Sequence, residues 1–104
     1  MKQSKLYVLV RKDLDYSSPA VQAGHATAEF CLRSRFSTIW NNHILVYLQV
    51  ENLKKLKNWL FKFEKRNIET SVFYEPDLNN EMTAFCALVN EEDSGFLSSL
   101  NLLE

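Results

Sequence analysis

The stretch KLYVLVRKDLDYSSPAVQAGHA, residues 5–26, decides the expected fold because it joins a buried strand to a helix. The segment from Lys5 to Val10 is apolar on both faces and rich in strand-forming residues, which is typical of a central strand covered on both sides. Polar turn residues follow. Ser18 and Pro19 then match a helix N-cap and a proline at the first helical position, where its missing N–H has no cost. We therefore predict a helix that ends at about Ser34.

The rest of the chain repeats this alternation. Further strands are predicted over Ile44 to Val50, Ile68 to Tyr74 and Met82 to Val89. Between the first two of these lies an amphipathic helix, ENLKKLKNWLFKFEKRN. Its apolar residues fall on one face, and Asn67 occupies a position typical of a left-handed helix terminus; the face consists of Leu53, Leu56, Leu60 and Phe63.

The predicted element order is β-α-β-α-β-β-α, within one domain that spans residues 1–104. Alternating strands and helices indicate an α/β fold with helices on both faces of a small mixed four-stranded sheet. The seven-residue loop EPDLNNE permits a hairpin, so the last strand is predicted to be antiparallel. The final helix is expected in the tail, with Phe96, Leu97 and Leu100 facing inward.

The composition narrows the class of protein. Apolar residues make up 46% of the 104 residues and charged residues 24%, as in a globular fold. The net charge of −1 gives no global attraction to nucleic acid. We expect a cytoplasmic protein without a membrane segment, a metal or a cofactor. Cys31 and Cys86 are expected to be buried, reduced thiols.

The first helix contains residues that its propensity does not explain. Gly24 costs about 1 kcal/mol of helix propensity relative to alanine. Together with Ala20 and Ala28 it forms a stripe of small side chains, which favours close packing against the sheet or another helix. On a neighbouring face, His25 and Glu29 are four residues apart and could form a pair, either as a solvated polar surface or as part of a site.

Polar residues also gather at one predicted edge of the sheet. Ligands of open α/β sheets settle outside the carboxyl ends of the strands, and a helix N-terminus favours an anion. If the third strand is parallel to the first and the fourth is antiparallel, eight polar residues meet at this edge: Arg11, Lys12, Asp13, Ser17, Ser18, Glu75, Asp77 and Thr83.

Several of these pieces resemble the class II peptidyl-tRNA hydrolases. YVLVRKDL is similar to the family's first strand with its Arg-x-Asp-Leu ending, and AVQAGHA is similar to its Ala-Ala-Gln-x-x-His-Ala helix. NNHILVYLQVENLKKL resembles its second strand and helix, and TAFCALV resembles its last strand. The resemblance implies a mixed four-stranded sheet and cleavage of the ester between a peptide and the tRNA 3′ end. The matching positions are Arg11, Asp13, Gln22, His25, Glu75 and Thr83.

The sequence departs from the family at two places. The family has a Gly-Lys pair before the helix, with the lysine thought to be catalytic, where this chain has Ser17 and Ser18. Lys12 is the nearest cation, at a different place in the pattern. Glu75 stands where the family has an aspartate, and the loop that follows it is shorter.

Two functions remain open at this point. In a hydrolase, Glu75, Asp77 or His25 would be the base and Thr83 would orient the water, with tRNA bound by Arg11, Lys12, Asp13, Ser17, Ser18 and Gln22. The alternative is a non-catalytic member of the fold that binds RNA, a nucleotide or a protein. Half of the twelve basic residues lie in the second helix, where they are either phosphate ligands or simply the solvent-exposed face of an amphipathic helix. Trp59 would be an interface anchor if it lay outside the apolar face, and homodimerisation is a third option.

Overall fold

The chain folds into a twisted mixed sheet with one α-helix on each face. The computed structural model describes residues 3–15 and 17–104. The α-helices are α1 (Pro19–Arg33) and α2 (Leu53–Lys65). Two 3-10 helices cover Pro76–Leu78 and Glu91–Leu97. The strands are β1 (Ser4–Arg11), β2 (Leu45–Val50), β3 (Ser71–Glu75), β4 (Glu81–Asn90) and β5 (Asn101–Leu102).

The strands lie in the order β3-β4-β1-β2-β5. β1 runs parallel to β2, whereas β4 is antiparallel to both β1 and β3. β1, β2 and β3 therefore point in one direction, and their carboxyl ends share an edge with the start of β4. The prediction of a small mixed α/β sheet with an antiparallel fourth strand is confirmed.

The count of four strands is wrong, because the tail adds a fifth strand, whereas the short helix predicted for the tail is present as a 3-10 helix. After β4 the chain forms the 3-10 helix Glu91–Leu97 and then β5, which pairs antiparallel with β2 through Leu48↔Leu102 and Gln49↔Asn101. Pairing with β5 satisfies backbone groups that would otherwise be left open along β2. Phe96, Leu97 and Leu100 do face the core, as predicted.

The two faces of the sheet carry separate hydrophobic cores. On one face, α1 packs through Ala23, Ala26 and Phe30 against residues of β1 and β4. On the other face, Leu56 and Phe63 of α2 pack against the alternate residues of the same strands. Strand alternation explains this division, because neighbouring residues point to opposite faces. The prediction of helices on both faces is confirmed.

Both α-helices begin and end near the predicted positions. The hydroxyl of Ser18 accepts the N–H of Ala20, and Pro19 opens α1 as predicted. Asn52 caps α2 in the same manner, through the N–H of Lys55. Asn67 follows α2 with a φ of 58°, the left-handed conformation predicted for it.

The small stripe on α1 does not pack closely against the protein. A Cβ placed on Gly24 would meet no atom within 4 Å, and Ala20 and Ala28 are exposed. Close intramolecular packing, the expected reason for the glycine, is therefore wrong. The stripe faces outward because α1 buries Gln22, Ala23, Ala26 and Phe30 instead.

Across residues 3–15 and 17–104, no helix combines the length and the apolar character needed to cross a membrane.

Candidate functional site

The side chain of Gln22 is the centre of a polar cluster at the carboxyl edge of the sheet. Its Nε2 donates to the Ser17 hydroxyl and to Oε1 of Glu75, both at 2.8 Å. Its Oε1 accepts a 2.6 Å hydrogen bond from the Thr83 hydroxyl. Gln22 is 1% exposed and Thr83 is fully buried. We call these four residues the Gln22 cluster. Both the nitrogen and the oxygen of the Gln22 amide have hydrogen-bond partners within it.

A β-bulge aims Thr83 into this cluster. Along β3 and β4, Phe73 pairs with Ala84 and the next residue, Tyr74, pairs with Met82. Thr83 is thus the extra residue on β4. Without the bulge, alternation would turn Thr83 toward α2; the bulge instead brings its hydroxyl to α1.

Glu75 ends β3 with its carboxylate held on both oxygens. Oε1 accepts from Gln22 and Oε2 accepts from the N–H of Asp77, at 3.3 Å. The Gln22 hydrogen bond is the largest influence that lowers the pKa of Glu75, followed by the Asp77 N–H and the charge of His25, against an opposing effect of desolvation. The carboxylate is therefore favoured in its ionised form.

His25 is the exposed group beside this carboxylate. Its imidazole stacks on the ring of Phe73, with centroids 4.9 Å apart and an interplanar angle of 26°. Its charge acts on Glu75, as described above. Glu29, the other partner considered for His25, instead bonds to Arg33 at 2.8 Å, one turn further along.

Arg11 organises a second polar group at the same edge. Its guanidinium bonds to both carboxylate oxygens of Asp13, at 2.7 and 3.1 Å, to Glu81, and to the carbonyl oxygen of Met82 at 3.3 Å. The hydrogen bond from Arg11 lowers the pKa of Asp13. Arg11 is only 8% exposed, so the main role of its guanidinium is to hold this network together. It adjoins the Gln22 cluster because Glu81 pairs with Glu75 across the strands.

Two residues of this edge are absent from the sequence-based site, Phe73 and Glu81. Phe73 reads as an ordinary strand residue, and its stacking on His25 needs the packing of α1 on β3. Only a weak feature of the sequence points to Glu81. It is an acidic residue at the start of the second strand of a hairpin, and such a residue lies opposite the end of the first strand.

The other predicted site residues have different surroundings. Asp77 is exposed and joins the cluster only through its backbone N–H. The Ser18 hydroxyl is used as the helix cap. Lys12 is exposed and lines a cavity formed with β2, α2 and the C-terminal segment, away from the Gln22 cluster. The eight predicted residues therefore share an edge but form more than one group.

The cysteines differ from each other. Cys86 is buried, as predicted, and donates through Sγ to the carbonyl oxygen of Ala26 at 3.3 Å. Burial raises the pKa of Cys86 to about 12. Cys31 is exposed, so its predicted burial is wrong; it lies on the outer side of α1. Within the described part of the chain, no group of three His, Cys, Asp or Glu residues is arranged to hold a metal ion.

The second helix presents a cationic surface. Trp59 is half-buried against the α2 core rather than free, and the Nζ of Lys62 lies 4.2 Å from its ring centroid. The six basic side chains of this region are all exposed, and none of them forms an ion pair among the described residues; they are Lys54, Lys55, Lys57, Lys62, Lys65 and Arg66.

Comparison with known proteins identifies a shared fold and nothing more specific. The sequence matches no family model and no curated protein. Its fold is similar to the solved structure of a protein of unknown function from Agrobacterium tumefaciens strain C58, with a TM-score of 0.71 and 12% sequence identity. The match covers 100% of both chains, so the whole architecture is shared.

Proposed function

We propose that this protein is a hydrolase of the peptidyl-tRNA type, which cleaves the ester between a peptide and the tRNA 3′ end. The observation that carries the proposal is the position of an exposed imidazole, His25, stacked on Phe73 of β3 two residues before the largely buried carboxylate of Glu75, at the carboxyl edge of the sheet. Ligands of α/β sheets bind at this edge. The substrate is inferred from the sequence resemblance to class II peptidyl-tRNA hydrolases.

In the proposed reaction, His25 acts as the general base. Its imidazole takes a proton from a water molecule, and the resulting hydroxide adds to the carbonyl carbon of the ester. The tetrahedral intermediate then expels the ribose oxygen of the tRNA, which receives the proton from the imidazolium. The carboxylate of Glu75 supplies negative charge at the same edge of the sheet, which stabilises the positive charge that develops on the ring during the reaction. Phe73 holds the ring orientation by stacking.

In this mechanism Thr83 and Gln22 are positioning residues. The single hydroxyl proton of Thr83 is already donated to Gln22, and the side chain is fully buried, so it has no route to a substrate. Their role is to hold the amide of Gln22 in the orientation that donates to Glu75. A fully satisfied buried network keeps a carboxylate fixed in this way.

The start of α1 supplies the proposed donor for the oxyanion. Pro19 has no N–H, and Ser18 accepts the N–H groups of both Ala20 and Gln22. Val21 therefore provides the remaining N–H of this turn, on a residue that is 51% exposed. A positive helix end next to developing negative charge lowers the barrier of acyl transfer.

Release of peptide from a model peptidyl-tRNA tests the proposal. His25→Asn is expected to lower kcat by about 10²-fold or more, as is usual when a general base is lost. Glu75→Gln keeps the size of the side chain and removes its charge, so a smaller loss in kcat is expected. His43→Asn is the matched control, because His43 is exposed and its φ of 59° suits asparagine. A wild-type rate equal to that of buffer, or equal rates for both histidine variants, would contradict the proposal.

A second candidate function is RNA binding without catalysis. One observation in its favour is that Ser17 and Ser18 stand where the class II hydrolases have their Gly-Lys pair. The Ser17 hydroxyl is also already bound by Gln22. It is also favoured by the unpaired cations of α2, which suit a phosphate backbone. The protein would then bind tRNA with an affinity that falls steeply with salt and release no peptide. Binding that is independent of salt would exclude this function.

A further inference from the structure

β3 is an edge strand whose outer side is open. It pairs with β4 alone, and within the described part of the chain the backbone groups of residues 71–74 that point away from β4 have no backbone partner. Proteins usually protect such an edge with a lysine, a proline or a very short strand. The opposite edge strand, β5, is protected in this way because it has two residues. β3 has five residues, SVFYE, and its charge is confined to the last one, so the edge is free to accept a further strand.

Large apolar side chains lie along the same edge on both faces of the sheet. On the α2 face, Tyr74 of β3 is 55% exposed. On the α1 face, His25 stacks on Phe73, so the side of α1 that carries His25 is turned toward β3. Val21 and Leu32 lie on that side of the helix, four residues before and seven residues after His25, and are 51% and 82% exposed. Exposed apolar groups beside an open strand are typical of a contact surface.

We propose that β3 pairs antiparallel with β3 of a second copy of this chain, with Phe73 on the two-fold axis. This register overlaps all five residues of both strands, whereas any other antiparallel register leaves some of them without a partner. Val72 of each copy then lies opposite Tyr74 of the other, an aliphatic–aromatic cross-strand pair. Because the axis is perpendicular to the joined sheet, both α1 helices lie on one face of it, with each Leu32 turned toward the other copy.

The charges at the two ends of β3 suit this arrangement. The same register places Asp77, which is exposed beyond the end of β3, opposite Glu69 of the second copy. Glu69 bonds to Arg35 at 2.9 Å, and the side chain of Arg35 is 76% exposed. A guanidinium has five N–H donors, so Arg35 can bond to both carboxylates and offset their repulsion. Two-fold symmetry forms this contact twice. The pairing of β3 does not depend on the proposed hydrolysis.

Sedimentation velocity tests the dimer. The wild-type protein is expected to sediment as a dimer whose fraction rises between about 1 and about 100 μM. Tyr74→Lys places a charge on the paired edge and is expected to weaken dimerisation at least about tenfold. Leu102→Lys is the matched control, because Leu102 is a similarly exposed apolar residue on the opposite edge strand. Thermal unfolding of both variants verifies that they fold.

Cross-linking tests the register. In a Cys31→Ser background, Phe73→Cys places two thiols on the two-fold axis with a Cα separation of about 5 Å, which a disulfide can span. Ser71→Cys is the control on the same face of β3, because Ser71 lies opposite Glu75 and is about 13 Å along the strand from its own copy. Oxidation with diamide is expected to convert the Phe73→Cys variant to a covalent dimer and to leave the Ser71→Cys variant monomeric on a non-reducing gel.

Three results would overturn the proposal. The first is a wild-type protein that stays monomeric at about 100 μM, which would leave the edge to a different partner, such as an extended peptide. The second is an equal effect of Tyr74→Lys and Leu102→Lys on dimerisation, which would place the interface elsewhere. The third is equal cross-linking of the Phe73→Cys and Ser71→Cys variants, which would indicate random collision rather than paired strands.

Discussion

The hydroxyl of Thr83 donates a 2.6 Å hydrogen bond to the side-chain oxygen of Gln22, which is 61 residues away in the chain. Both groups are buried, so neither has water as an alternative partner. The bond joins β4 to α1 and fixes which end of the Gln22 amide faces Glu75. The Gln22 hydrogen bond that lowers the pKa of Glu75 depends on this orientation.

Breaking the Thr83–Gln22 contact from one side is expected to destabilise the fold. Thr83→Val keeps the shape of the side chain but leaves the buried Gln22 oxygen without a donor, at a cost of about 1–3 kcal/mol in the free energy of unfolding. Urea denaturation measures this cost. Thr27→Val is a less severe comparison, because the Thr27 hydroxyl is only partly buried.

A double-mutant cycle gives the coupling within the same pair. Gln22→Leu combined with Thr83→Val removes both partners, so the double variant is expected to lose less stability than the sum of the two single losses, by about 0.5–3 kcal/mol. Strictly additive losses would mean that the two side chains do not interact in solution.

The stability of the protein is expected to fall in acid because of Glu75 and Asp13. Both carboxyls have a pKa below their ordinary values, so the folded state binds their protons less readily than the unfolded state. Their contribution is complete above the unfolded pKa, near 4, and is lost as the pH falls through the folded pKa. Unfolding free energies from pH 7 down to pH 2 measure this loss.

Glu75→Gln separates the contribution of Glu75 from that of other carboxyls. The difference in unfolding free energy between wild type and this variant is expected to be largest near neutral pH and to shrink in acid. Glu104→Gln is the control, because this exposed side chain belongs to neither polar group. A difference that grows as the pH falls would contradict the assignment for Glu75.

Gly24→Ala is expected to stabilise the protein by about 1 kcal/mol. Alanine has the higher helix propensity, and its Cβ would enter open space. Ala28→Gly, at an exposed position of the same helix, is the reverse test and should destabilise by a similar amount. Thermal unfolding compares the two variants. A loss of stability in Gly24→Ala would show that the position has a packing role in solution.

The two cysteines are expected to differ in reactivity. Cys31 is exposed and should react with a thiol reagent in the native protein, whereas Cys86 is buried and burial raises its pKa to about 12. Titration should therefore find one reactive thiol in the native state and two in denaturant. Cys31→Ser should remove the native signal, and Cys86→Ser should leave it unchanged.

The sequence predicts some residues of the site and misses others. Gln22, His25 and Glu75 come from the sequence, since their motif and their positions at element ends are visible in one dimension. The burial of Thr83 was not foreseen, because a bulge between β3 and β4 decides which face it joins. Phe73 and Glu81 also become recognisable only when their partners from α1 and β1 are in place.

The sequence by itself determined the alternation of strands and helices, the capping of α1 and α2, and the buried face of α2. These follow from interactions within a few residues and from periodicity, which any stretch of chain carries with it. Only the tertiary structure decided the fifth strand, the outward direction of Gly24 and the hydrogen bonds around Gln22. Each of these depends on groups brought together from distant parts of the chain, and local preference carries no information about such partners.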